Sequence, residues 1–185
     1  MRKRWLLYIL VGLVFGWVDW YFLDLIASFS RNLTLTDAIF QIPRILQILI
    51  IAIIMGLNYG VWLIPAIPIA IYEMRFSHSL WRGALSAIIV WSMALLSYYA
   101  YYTFLLMFVG LPNLDFMLIS NHLSTTYWAD WWLSFRRLIV YQFLEWIGIA
   151  IIGGAVIGTI CAYFYDHVSK KRMSAAQMKK NQSTA

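Results

Sequence analysis

Four long apolar runs separated by short polar segments set the pattern of the chain. They occupy roughly residues 5–29, 44–72, 83–110 and 138–164. A helix that crosses a bilayer takes about 20 apolar residues, and each run supplies them. None shows the alternating segments of about ten residues that mark a transmembrane β-strand. Lipid offers no partner to backbone polar groups, so all four runs are predicted to be helical.

The second run is longer than one crossing needs, at about 1.5 Å per residue against a hydrocarbon core of about 30 Å. It carries Asn58-Tyr59-Gly60, then Pro65 and Pro68. The expectation is one long kinked helix. The alternative is a helix ending near Gly56 followed by a re-entrant or interfacial piece.

Basic residues give the orientation. With the N-terminus in the cytoplasm, the inner side holds ten: Arg2, Lys3, Arg4, Arg75, Arg82, Lys170, Lys171, Arg172, Lys179 and Lys180. The outer side holds four: Arg31, Arg44, Arg136 and Arg137. The positive-inside rule then puts both termini inside. The basic start and first apolar run read as an uncleaved signal anchor, since the run outlasts a signal peptide and no small-x-small cleavage site follows it. Residues 1–168 form the expected bundle. Residues 169–185 are polar, basic and free of aromatics, and read as a disordered cytoplasmic tail.

The outer connections are amphipathic. Trp128, Trp131, Trp132 and Phe135 fall on one helical face, which predicts a short interfacial helix with Thr126 placed to cap it. Residues 36–43 read as a smaller one.

Composition narrows the class. With 63% hydrophobic and only 12% charged residues, the chain is neither a water-soluble globule nor a disordered polymer. A single cysteine, Cys161, excludes a disulfide scaffold, a four-thiolate zinc site and CxxC chemistry. The net charge of +6 sits at membrane-flanking ends, so it is no sign of nucleic-acid binding. The fold class is therefore an all-α, polytopic integral membrane bundle of four transmembrane helices in the cell membrane, N-in and C-in, with short interfacial helices in the outer loops.

Helix contacts are written in small residues, which let backbones approach. The fourth run carries a ladder of Ala150, Gly154, Gly158 and Ala162. The first carries Gly12 and Gly16, continued on that face by Asp19 and Leu23. Glu145 lies about 140–180° around the fourth helix from the ladder, so that helix needs close neighbours on opposite sides. One face meeting the bundle and the other a second chain is the simpler account. It predicts a homo-oligomer or a larger membrane complex.

Buried charges are the candidate chemistry. Asp19 and Glu145 are both expected about 10 Å below the outer interface. A carboxylate at that depth needs a partner or water. One arrangement is salt bridging by Arg44 or Arg136. The other is a polar pocket with Gln47 near its rim, floored near Asn58 and walled by Tyr98, Tyr101 and Tyr102. Two close acids there suit a cation, a proton relay or an amine headgroup.

No histidine lies mid-helix, which removes paired haem ligands. No phosphate loop, GxSxG or HExxH occurs. The expectation is a non-enzymatic membrane subunit without cofactor or metal; the alternative is a small transporter or ion-handling protein using the two acids.

Overall fold

The structure, a computed structural model, describes residues 2–35, 43–111 and 114–183. Within these it describes the side chains other than those of residues 2, 29–35, 58, 59 and 172–183. Segment 36–42, most of the smaller expected interfacial piece, lies outside the described residues, as does the side chain of Asn58.

The described residues form no strand. In chain order the α-helices are α1 (Arg2–Leu35), α2 (Arg44–Gly60), α3 (Leu63–Ser77), α4 (Leu80–Phe104), α5 (Tyr127–Phe135) and α6 (Gln142–Ser183). A wide π-turn, Leu105–Val109, extends α4 to Gly110. Gly110 ends it at φ 85°, a conformation open to glycine and costly for other residues. A second π-turn, Arg136–Tyr141, joins α5 to α6. Three helices are long and apolar enough to cross a membrane: Lys3–Ser28, Leu80–Val109 and Tyr127–Lys171.

The second apolar run is two helices where one kinked helix was expected. Pro65 explains the break. It has no N–H to give Val61, and its ring crowds the carbonyl one turn earlier. The ladder is lost at Val61–Trp62, and Ile64 N–H closes a tight bond to the Val61 carbonyl instead, at 3.0 Å. With 17 residues, α2 spans about 26 Å at helical rise, short of a bilayer core. α3 stops at His78, which caps it in the left-handed region at φ 49°.

α5, the π-turn and α6 form one continuous rod, so the tryptophan-rich segment is its first turns rather than a separate interfacial helix. The expected side-chain cap from Thr126 is absent; its carbonyl instead accepts the Ala129 and Asp130 N–H groups, each at 3.0 Å. At the other end, the segment expected to be disordered continues α6 as helix through Ser183. Its Ala, Lys, Gln and Met residues favour helix, and it holds no Gly or Pro to stop one.

α4 is the centre of the bundle. α1 runs parallel to it and α6 antiparallel, each seated through small residues. A Cβ on Gly12 would meet the Val90 carbonyl at 2.6 Å, and one on Gly16 would collide with the carbonyl of Ala94. Between them Ser97 Oγ donates to the Leu13 carbonyl at 2.6 Å. On the other flank, a Cβ on Gly154 would lie 2.9 Å from the Ile88 backbone, and one on Gly158 2.7 Å from Ala84. The ladder continues with Ala162 against Gly83 and with buried Ala150. The small-residue ladder thus serves the chain's own packing. α3 packs beside α4 and α6, with Ala66, Ala70 and Ala87 forming a tight alanine core next to Cys161.

Candidate functional site

Asp19 follows Gly12 and Gly16 on one face of α1, which turns its carboxyl toward α4. The residue is 1% exposed, and among the described residues neither carboxyl oxygen has a hydrogen-bond partner. An unmet buried polar group of this kind costs about 1–3 kcal/mol. Glu145 has the opposite setting. It lies on the exposed side of α6, away from the ladder, beside Leu144 at 58% and Ile152 at 69% exposed. A Cβ on nearby Gly148 would meet nothing within 4 Å.

The two acids share a level without sharing a site. Gly16 faces Ala94, which sets Asp19 beside Ser97; Gly154 faces Ile88 and Phe143 faces Tyr99, which sets Glu145 beside Ser97 as well. One is buried in the bundle and the other is on its surface. Neither forms an ion pair among the described residues. Arg44 is exposed at the start of α2, and Arg136 lies over the Tyr141 ring, 5.9 Å from its centroid. Gln47 is half-buried on α2.

A cavity of about 320 Å³ does lie beside this level, where α1, α4, α6 and the α2–α3 break converge. Each helix gives it a regular face. α1 contributes Trp20, Leu23, Asp24 and Ala27; α4 contributes Leu95, Tyr98, Tyr99 and Tyr102; α6 contributes Gln142 and Trp146. These are spacings of three and four, the positions that share a helical face. Trp62 enters from the break. Of the expected pocket residues, Tyr98 and Tyr102 are here. Tyr101 is not: its hydroxyl meets that of Tyr21 at 2.5 Å, and its ring stacks on Phe104. Gln142, Trp62 and Trp146 were not anticipated.

The best-formed polar contact lies at the opposite end of the bundle and went unread in the sequence. Glu73 on α3 is 1% exposed. Its Oε2 accepts from Tyr8 Oη at 2.6 Å and from Arg4 Nη1 at 3.1 Å. Arg4 also covers the Phe76 ring, 5.5 Å from its centroid. The available signal was the four-residue spacing of Arg4 and Tyr8, which puts both on one face of α1.

Of the three tryptophans on the expected interfacial face, Trp128 and Trp132 are exposed, while Trp131 is half-buried and stacks on Phe135 with centroids 4.8 Å apart. No group of three or more His, Cys, Asp or Glu side chains comes together among the described residues. His122 bonds locally to the Ile119 carbonyl at 2.8 Å. Compared with protein-family models, characterised proteins and solved structures, the chain matches none.

Proposed function

We propose that this is a small multi-pass membrane subunit, without catalytic activity, that works by packing the exposed face of α6 against another membrane polypeptide. Three helices long and apolar enough to cross a bilayer support the membrane reading. The observation that carries the role is Glu145. It is an exposed carboxyl level with Ser97, near the middle of the Leu80–Val109 span. A carboxyl at such depth faces protein or a wet cavity in nearly all membrane proteins. Its own chain leaves that face bare, and Gly148 offers a second backbone a place to approach.

The same reading has the chain cross four times, with both termini in the cytoplasm. α1 and α4 run parallel and side by side, so the connecting segment must return along the bundle, and α2 and α3 together are the return. The basic residues set the direction.

The test is cysteine crosslinking in native membranes, in a Cys161→Ala background that removes the sole thiol. Leu144→Cys is expected to give a covalent dimer or an adduct with a second protein, and Val14→Cys on the exposed face of α1 is expected to give neither. Glu145→Leu should weaken the adduct. Leu144→Cys that stays monomeric, with monomer alone in native mass spectrometry, overturns the proposal. A second reading, a small transporter, draws on a different observation: the cavity between α1, α4 and α6, with Asp24 beside it.

A further inference from the structure

The cavity has a chemistry of its own. Six of its eleven lining residues are aromatic, and none is Lys, Arg or His. Its sole charged lining group is the carboxylate of Asp24. Aromatic faces carry negative potential and attract cations, most strongly at Trp. Trp20 sits against Tyr102 and Tyr98 with ring centroids 4.7 and 5.5 Å away, so the rings hold one another in place. That preorganisation lowers the cost of ordering a site around a ligand.

Two further groups complete the lining. Trp62 is almost fully buried, and its indole N–H has no partner among the described residues. The nitrogen itself is sealed from the cavity, so Trp62 contributes its ring to the wall. Gln142, exposed on the facing helix, adds an amide. The volume, about 320 Å³, is at the small end of ligand sites and too small for a lipid tail together with its headgroup.

We propose that this cavity binds an alkylammonium group carrying a nearby oxygen, with the aromatic wall toward the cation, Asp24 balancing its charge and the Gln142 amide meeting the oxygen. A free amino alcohol and the headgroup of an amine-bearing lipid share this chemistry. The inference stands on the cavity and does not depend on assembly through α6.

Two arms separate the sources. In one, choline is titrated calorimetrically into the protein in a sugar-headgroup detergent. In the other, native mass spectrometry compares retained phosphatidylcholine with phosphatidylglycerol. Binding of choline points to a free cation; retention of phosphatidylcholine alone points to the headgroup; either supports the site. Asp24→Asn, a change at an exposed position, and Trp20→Phe keep the fold and are expected to weaken the bound species about tenfold or more, and about threefold, respectively. The uncharged isostere 3,3-dimethylbutanol is expected to bind at least about tenfold more weakly than choline in the first arm. No binding in either arm, equal affinity for the isostere, or an Asp24→Asn protein that binds as the parent does overturns the proposal.

Discussion

At the end of the bundle where α1 begins, Glu73 is buried with two donors on one carboxyl oxygen. Four turns along α1, Asp19 is buried to the same degree with none. Both acids sit between packed helices. The difference lies in what the neighbouring helix presents. Opposite Glu73, α1 offers Arg4 and Tyr8 from successive turns. Opposite Asp19, α4 offers Ala94, which has no side-chain donor, and Ser97, whose hydroxyl is taken up by the Leu13 carbonyl. The Glu73 end spends its polar groups on holding α1 to α3. The Asp19 end buries its carboxyl without a hydrogen-bond partner among the described residues.

The comparison can be broken by substitution. The largest effect is expected from Gly16→Leu, whose side chain has no room against the Ala94 carbonyl; loss of the α1–α4 contact should cost about 3 kcal/mol or more. Thermal unfolding in detergent reads it, and a wild-type midpoint would break the packing scheme. Glu73→Ala follows. It leaves Arg4 and Tyr8 without their acceptor and should cost about 2–3 kcal/mol, below the range for fully buried pairs because Arg4 is partly exposed. Asp19→Val carries the opposite sign. With no hydrogen bond to lose, it should leave stability unchanged or raise it by about 1–2 kcal/mol in the same assay. A loss as large as that at Glu73 would mean that Asp19 has a partner in the membrane, and the two ends would then be alike. Ser97→Ala should be the smallest, about 0.6 kcal/mol for one interhelical hydrogen bond, measured by chemical unfolding in mixed micelles.

Much of the architecture was legible because lipid forces helix on any long apolar run. The Val61–Trp62 break was harder to read. Proline acts on the carbonyl four residues before it, so the conspicuous Gly60 was the nearer landmark but not the cause. The Ala150–Ala162 ladder was visible as a surface that something approaches. A stripe of small residues does not name its partner, and Gly83, Ala84 and Ala87 on α4 complete the fit only in three dimensions. Asp19 and Asp24 show the same limit. They lie five residues apart, hence about 140° around the helix, so one is sealed against α4 and the other reaches the cavity. Reading depth alone grouped Asp19 with Glu145; reading helical faces would have gathered Trp20, Asp24, Tyr98, Tyr102, Gln142 and Trp146. Arg4 and Glu73, 69 positions apart, left no mark in local sequence.

The paired π-turns have a mechanical consequence. Leu105–Val109 and Arg136–Tyr141 lie at one height on two antiparallel rods, and each holds a residue more than a regular turn would. Deleting a residue from 136–141 would rewind that stretch as regular helix and leave the indoles of Trp128 and Trp132 facing nearly as before, because the wide turn absorbs the extra residue by turning less at each one. The rod thereby carries one residue more than its faces need, held at a single turn.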